Sequence, residues 1–369
     1  MIRINAPQIG KEEIEAVTKV LESGILTTGL GKGPYVTKFE KSFANFVQAK
    51  YSIAVNSGTA ALHAALMAVG VKNGDEVLLP SFTFTATAET VILCSARPVF
   101  IDIDPETYCM DVSQIEKHVN ERTKAIIPVD LYGFPADLQP LREIADKHGI
   151  AIVEDAAQAH GALYKGKPVG FYADVACWSF YASKNMTTGE GGMVTTNNEE
   201  IADKVQSIRT HGEKEKYMSV RLGHNYRMPE IEAAIGLVQL KKLPKFLEKR
   251  RKNAKILTEK LEEIKGLKLP FETEEKKHSW YLYTVRLENV TRNKRDQIVR
   301  ELKENNIEGA VYYHTPIHTM PFYRKFCNYK LPETEKASEQ VLSLPIHPGV
   351  SFEQVDYIAE KFQNLILKS

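Results

Sequence analysis

The sequence predicts an α/β protein, with a large domain built on a mostly parallel seven-stranded sheet and a smaller C-terminal α/β domain. Three observations predict it. Between about residues 50 and 200, short apolar runs alternate with segments of helical period. After residue 229 the pattern changes to a long, charged helical stretch. At 369 residues the chain also exceeds what one ordinary core organises.

Taken in order, Lys11–Glu22 puts Ile14, Val17, Val20 and Leu21 on one face, which predicts a helix. Gly29-Leu30-Gly31-Lys32-Gly33-Pro34 reads as a turn, because no strand precedes it and its glycine spacing does not fit a dinucleotide fingerprint. The candidate strands are Ser52–Asn56, Glu76–Leu79, Arg97–Asp102, Lys124–Val129, Ala151–Glu154, Val175–Ser179 and Gly192–Thr196. Helices such as Thr59–Val69 and Leu138–His148 lie between them. The helical stretch from Pro229 to Lys265 is predicted to break at Pro244, which has no N–H to donate. The domain transition belongs there, giving a large domain of residues 1–240, N-terminal helix included, and a small domain of residues 241–369. In the latter, strands are expected near Trp280–Arg286 and Gly309–Tyr313, and helices around Asn293–Asn305 and Phe352–Leu365. No internal repeat or low-complexity segment interrupts this plan.

Composition narrows the function classes. With 43% hydrophobic and 26% charged residues the chain has a core to bury and a surface to solvate. Its net charge of +1 comes from 48 basic and 47 acidic residues spread along the chain, which excludes the concentrated basic face of a nucleic-acid or membrane-surface binder. The N-terminus, Met1-Ile2-Arg3-Ile4-Asn5, lacks a secretory pattern and no apolar segment reaches spanning length, so a cytoplasmic location is expected. Cys94, Cys109, Cys177 and Cys327 form no CxxC pair, so neither a disulfide framework nor a metal site is expected, and they read as packing residues.

Three segments carry chemistry. Val153-Glu154-Asp155-Ala156-Ala157-Gln158 ends an apolar strand in carboxylates at its C-terminal edge, where open α/β sheets bind ligands. Alone, Asp155 would read as a helix cap or a metal ligand. Trp178-Ser179-Phe180-Tyr181-Ala182-Ser183-Lys184 is followed by Gly189-Glu190-Gly191-Gly192, so Lys184 lies between a serine able to bind phosphate and glycines that permit close backbone approach. Such a setting suits a lysine amine that must act as a nucleophile, although an isolated loop lysine is ordinarily solvated. Asn56-Ser57-Gly58-Thr59 turns a strand directly into a helix, whose N-terminal N–H groups favour a phosphate; alone it would be an ordinary N-cap. Together they supply a phosphate anchor, a partner for a pyridinium nitrogen and an imine-forming amine, the three requirements of pyridoxal 5′-phosphate.

With these residues in view, the chain resembles the DegT/DnrJ/EryC1/StrS sugar aminotransferases, of the pyridoxal-phosphate-dependent transferase fold type I. The resemblance covers most of the chain, through SGTAALHAAL (57–66), LPSFTFTATA (79–88), VFIDIDPETYCMD (99–111), PVDLYGFPAD (128–137), EDAAQAHGA (154–162), SFYASKNMTTGEGG (179–192) and GHNYRMPEIEAAIG (223–236). It implies that Lys184 forms the Schiff base and serves as general base, and that Asp155 keeps the pyridine nitrogen protonated. It further implies that Gln158 lies near the phenolic oxygen, Phe84 stacks on the ring or else belongs to the core, and Gly58, Thr59 and Ser179 bind the phosphate. Asn225 is implied to reach the phosphate of a neighbouring subunit, which makes a homodimer with shared sites the expected assembly.

Some relatives carry His in place of the lysine and dehydrate a sugar; Lys184 favours amino transfer. The substrates implied are glutamate and a nucleotide-linked keto sugar. The Thr187–Gly192 loop resembles members acting at C4 of a 4-keto-6-deoxy sugar, of the perosamine or 4-amino-arabinose kind, and C3 amination is the alternative. A C–S lyase of the same fold and a non-catalytic regulator are the readings from other classes. The regulator would have no use for the imine amine, and the reactive cysteine loop that desulfurase chemistry needs is absent near Lys184. His314 and His318 flank Pro316, which rules out helical metal-ligand spacing; they read as a surface turn or, by resemblance, as a loop near the sugar. His160 reads as a packed neighbour of the site, and Arg227 either pairs with a donor carboxylate or is structural.

Overall fold

The structure is a computed structural model and describes residues 1–367. Seven strands form the principal sheet: β1 Tyr51–Val55, β2 Glu76–Pro80, β3 Arg97–Ile101, β4 Thr123–Ile126, β5 Ala151–Asp155, β6 Val175–Ser179 and β7 Gly192–Thr196. Their spatial order is β1-β7-β6-β5-β4-β2-β3. Strands β6, β5, β4, β2 and β3 run parallel, and β7 is antiparallel to both β1 and β6. All five residues of β2, β6 and β7 are buried, as expected where helices cover both faces of a sheet.

Helices α1 Lys11–Ser23, α2 Pro34–Val47, α3 Gly58–Ala68, α4 Ala86–Leu93, α5 Leu138–His148 and α6 Glu199–Ile208 surround this sheet. The alanine-rich α3 is buried nearly all round, which is why it carries no polar stripe: Ala60, Ala61, Leu62, Ala64, Ala65 and Leu66 all lie in the core with Val77, Val153 and Val175. On the opposite face Phe39 and Phe43 of α2 pack on Trp178 and Phe180 of the β6 region. The glycine-rich segment before α2 is a turn, with Pro34 at the first helical position.

The next helix, α7, runs unbroken from Glu230 to Leu261 with Pro244 inside it, so the expected interruption does not occur. Proline removes one backbone donor, but burial on both sides holds the two halves as one helix. Leu240 and Leu243 belong to the large core, whereas Ala254, Leu257 and Leu261 belong to a second core. That second core is completed by α8 Arg292–Glu304, α10 Phe352–Leu367 and a three-stranded antiparallel sheet in the order β8 Leu267–Lys268, β9 Tyr283–Leu287, β10 Val341–Leu344, whereas Ala337 of α9 Pro332–Gln340 lies in another cluster with Ile4, Phe82 and Tyr132. Ile2 packs against it as well, its N–H donating to the Asn306 carbonyl at 2.7 Å.

Gly309–Tyr313 is not a strand; only Ala310 bridges Ser343, because the following tyrosines are drawn toward the large domain. Tyr132 donates its hydroxyl proton to the Tyr312 carbonyl, and the Tyr313 hydroxyl accepts from Gln158. The third strand of the small sheet is the apolar Val341–Leu344 instead. All four cysteines are free, and Cys109 and Cys177 are buried. Among the described residues no helix is long and apolar enough to cross a membrane, and no group of His, Cys, Asp or Glu is arranged to hold a metal ion.

The two cores meet at Gly133, with φ of 97°. A Cβ there would lie 2.1 Å from Ser279 Oγ, 3.0 Å from the Gln158 carbonyl oxygen and 3.2 Å from the Tyr281 nitrogen. Gly133→Ala is therefore expected to destabilise the protein by about 1–3 kcal/mol in urea unfolding. Ser279→Ala in the same chain should not restore the loss, because the backbone contacts and the positive φ remain.

Candidate active site

Strand β7 points opposite to both its neighbours, so β1 and β6 end on the same edge of the sheet and β7 begins there. Gly192 sits opposite Val55 on one side and Ser179 on the other. A Cβ on Gly192 would come within 2.3 Å of the Ser57 carbonyl oxygen, so the residue beginning β7 must be glycine for the two outer strands to end this close to it. Ser57 caps α3, its hydroxyl accepting the Ala60 N–H at 3.0 Å. A Cβ on Gly58 would meet Ser179 Cβ at 2.8 Å. The first turn of α3, with Gly58 and the half-buried Thr59, therefore faces the Ser179 hydroxyl across a narrow gap. Helix N–H groups and a serine hydroxyl in that arrangement form an anion cradle.

Two strands away, Asp155 ends β5 and is buried. Burial raises its pKa, which is opposed by the Thr87 hydroxyl donating to Oδ2 at 2.9 Å, the Ala157 N–H donating to Oδ1 at 3.2 Å and the positive charge of Lys184. Lys184 lies half-buried in the loop after β6 with Nζ 4.7 Å from the centre of the Tyr281 ring. That ring face favours an ammonium, and the Tyr281 hydroxyl is 2.9 Å from Ser183 Oγ, so one side chain holds both lysine and loop. Gln158 accepts the Tyr132 N–H on Oε1 at 2.8 Å and donates to Tyr313 Oη at 3.3 Å. Phe84 is 58% exposed, its ring centre 6.4 Å from that of Tyr313, so it presents a free face and is not a core residue.

The remaining candidates fall at different places. Asn225 is exposed, and its backbone lies beside the phosphate turn, with the Asn56 side chain donating to its carbonyl at 3.3 Å. Arg227, on the same segment, donates to Thr210 Oγ1 at 3.2 Å. His314 is exposed and follows Tyr313. His318 is buried, with Ser81 Oγ 2.7 Å from Nδ1 and Glu335 Oε1 3.4 Å from Nε2. Both its ring nitrogens are engaged within the protein, so it ties the loop after β2 to α9 and has no free nitrogen for a sugar. His160 is wholly buried between Phe43, Trp178 and Phe180, with neither ring nitrogen hydrogen-bonded, and burial depresses its pKa to about 3.

Sequence reasoning missed Thr87, Tyr281 and Tyr313. Thr87 lies inside LPSFTFTATA and could have been suspected from its position four residues after Thr83, with which it shares a hydroxyl contact of 3.2 Å. Nothing in the sequence sets Tyr281 or Tyr313 apart, since both come from the small-domain side. The residues present fit pyridoxal 5′-phosphate: an anion cradle for its phosphate, a buried carboxylate for its ring N–H, an amine for its aldehyde and an open aromatic face for its ring.

Residues 7–363 match the DegT/DnrJ/EryC1/StrS aminotransferase family. The chain is 36% identical to a GDP-perosamine synthase of Caulobacter vibrioides, across 99% of this chain and 98% of that protein. It is 40% identical to a UDP-2-acetamido-2-deoxy-3-oxo-D-glucuronate aminotransferase of Pseudomonas aeruginosa, across 96% of each. Among solved structures it is similar to Streptococcus pneumoniae Spr1654 in its PLP form, with a TM-score of 0.93 and 32% identity over 100% of this chain and 99% of that one.

Because the Thr87 hydroxyl stabilises the ionised form of Asp155, Thr87→Val should raise that carboxyl's pKa further. The charged form is lost as pH falls through the pKa, so the acid limb of pyridoxal 5′-phosphate binding should move to higher pH. A spectroscopic titration is expected to show roughly tenfold weaker binding at neutral pH.

Proposed function

The chain belongs to the DegT/DnrJ/EryC1/StrS aminotransferase family, and from that premise we propose that it transfers an amino group from glutamate to C4 of a nucleotide-linked 4-keto-6-deoxy sugar. That it is a pyridoxal-phosphate-dependent sugar aminotransferase follows from the family and the relatives named above. The observation that carries the mechanistic reading is the convergence of Lys184, Asp155 and the Gly58–Ser179 cradle on one edge of the sheet. Support for C4 is the likeness to a perosamine synthase, together with the loop Thr187–Gly192; the relative named for a 3-oxo sugar keeps C3 as the second reading.

When bound, the cofactor supplies an electron sink conjugated to the carbon that bears the amino group. The chain supplies the rest. Asp155 would accept the ring N–H and so hold that proton in place; Gly58, Thr59 and Ser179 would hold the phosphate. Lys184 Nζ takes a proton from the α-carbon of glutamate and returns it on the other side of the exchange. Tyr281 holds the amine within reach while it is not covalently engaged. Gln158 reaches the phenolic oxygen, and Phe84 covers the ring. We place the sugar by His314 and the donor carboxylate by Arg227.

We further propose a homodimer in which Asn225 completes the partner's phosphate site. Its support is an apolar face beside the Lys184 loop, where exposed Ile9 and Ile14 and the neighbouring Val17 line a cleft with Ala182, Gly189 and Ile235. The segregation of two cores supports a large part of residues 1–240 and a smaller part of 241–369, with α7 crossing between them. We also propose a cytoplasmic location, where the chain would supply amino sugars for polysaccharide or lipopolysaccharide; its support is the likeness to a GDP-perosamine synthase.

Glutamate added without any acceptor should convert the visible absorption of the lysine-bound cofactor into that of pyridoxamine phosphate; Lys184→Ala should lack the lysine-bound band and form pyridoxamine phosphate from added pyridoxal 5′-phosphate and glutamate about 10³-fold more slowly. Regeneration of the original band by a 4-keto but not a 3-keto nucleotide sugar is expected; the reverse preference assigns C3. Asn225→Ala should weaken cofactor binding while sedimentation still reports a dimer, and a fully active monomer would overturn the shared site.

A further inference from the structure

Two carboxyl groups outside the reaction are wholly buried and close together. Glu154 precedes Asp155 on β5, so its side chain leaves the opposite face of the strand. Asp130 lies in the turn after β4 and is equally buried. Each accepts one backbone N–H: Ala136 donates to Asp130 Oδ1 at 2.8 Å and Gly170 to Glu154 Oε2 at 2.7 Å. The other two oxygens, Asp130 Oδ2 and Glu154 Oε1, are buried without a hydrogen-bond partner among the described residues, and each carboxyl bears on the ionisation of the other.

Among the described residues no cation forms an ion pair with either carboxyl. Lys276, whose charge bears on Asp130, has its amine 3.7 Å from Asp137, and the other titratable groups facing the pair are Asp155 and the thiols of Cys109 and Cys177. Two ionised carboxylates cannot share such a site, because neither repulsion nor desolvation is offset. A hydrogen bond between two carboxyls also requires that one of them carry a proton.

We propose that Glu154 and Asp130 share one proton, held on Glu154 Oε1 and donated to Asp130 Oδ2, and that this pair positions Asp155 and keeps it ionised. The positioning is direct. The Asp130 N–H donates to the Asp155 carbonyl at 3.2 Å, and the Asp155 N–H donates to the Pro128 carbonyl at 2.9 Å. Asp130 also closes the turn that presents Tyr132, whose N–H holds Gln158. The electrostatic part follows from the count of charges. With the proton in place the pair adds one negative charge beside Asp155; without it there are two, and Asp155 is driven toward protonation and away from the ring N–H. Burial raises the pKa of both, Asp130 to about 7 and Glu154 well above the usual carboxylate range.

The folded protein thus holds a proton that the unfolded chain releases near the ordinary carboxylate pKa. Stability from this pair falls as pH rises, by about tenfold in the folding equilibrium per pH unit, until the shared proton is lost. The role assigned to Asp155 rests on the proposed function; the shared proton does not, and it can be read on the apoprotein.

Infrared spectra of the apoprotein at neutral pH should show the carbonyl stretch of a protonated carboxylic acid in the wild type and in Asp155→Asn. In Glu154→Gln, which keeps the hydrogen bond and supplies an amide donor, one such stretch should be lost, while Glu232, pushed up to about 7 by burial, contributes equally to all three spectra. Between pH 7 and 9 the wild type should lose stability relative to Glu154→Gln, and its affinity for pyridoxal 5′-phosphate should fall more steeply. A band of undiminished intensity in Glu154→Gln, or one missing from the wild type, overturns the shared proton. If the band behaves as expected but cofactor affinity shows the same pH dependence in both proteins, the positioning claim fails. If the band is present and no cofactor binds, the acid pair stands and the reading of the site falls. Should Glu154→Gln not fold, Asp130→Asn serves in its place, with the stretch expected to shift in frequency as the partner of the Glu154 hydroxyl changes, and an unshifted stretch counting against the pair.

Discussion

Everything at the site depends on one close backbone approach, that of Gly192 to the Ser57 carbonyl. Because β7 enters the sheet in the reverse direction at this point, the ends of β1 and β6 are separated by a single strand whose first residue has no side chain. That brings the first turn of α3 against Ser179, and the loop from Ser179 carries Lys184. Any side chain at 192 would push the phosphate cradle and the lysine loop apart together, so the constraint on one glycine is a constraint on both halves of the chemistry.

The second governing condition is how little solvent reaches the charges. Asp155 must be ionised to hold a pyridinium, yet burial opposes this, and the protein answers with donors rather than water: Thr87, the Ala157 amide and the charge of Lys184. The acids behind it are treated in the opposite way, with no ion pair among the described residues and only one backbone donor each. Neighbouring carboxyls on one strand thereby acquire different protonation states from their surroundings, the usual means by which one active site keeps an acid neutral and a base charged at the same pH.

The chain beyond α7 is part of this arrangement. Tyr281 leaves it to cover the lysine amine, and its carbonyl accepts from the buried guanidinium of Arg250 on α7 at 3.1 Å. Tyr313 leaves it from another segment to meet Gln158. With α7 continuous through both cores, a displacement of the second core would move the groups that orient Lys184 and Gln158. The close contact at Gly133, lodged between Gln158 and the 279–281 segment, is the point at which the two bodies are held in register.

The seven strands of the principal sheet, the N-terminal helix and the helix Leu138–His148 could be read from apolar period, because those elements bury a regular face. Asp155 and the Ser57–Thr59 turn could be singled out for a related reason: each lies at the end of such an element, where a polar residue following an apolar strand stands out, whereas Lys184, in the loop after β6, was singled out by the serine and glycines that flank it. Pro244 misled because a single missing donor is a local quantity, whereas the continuity of α7 is decided by burial in two cores that local sequence does not contain. Gly309–Tyr313 misled similarly, since its aromatic run fits a strand but is held by Tyr132 and Gln158 from far away in the chain. By itself, then, the sequence determined which groups were available and at which strand ends they would appear. Only the tertiary structure decided that Tyr281 faces Lys184, that Thr87 holds Asp155, that Glu154 meets Asp130 and that His318 is turned inward, because those distances are set by the packing of elements that are remote along the chain.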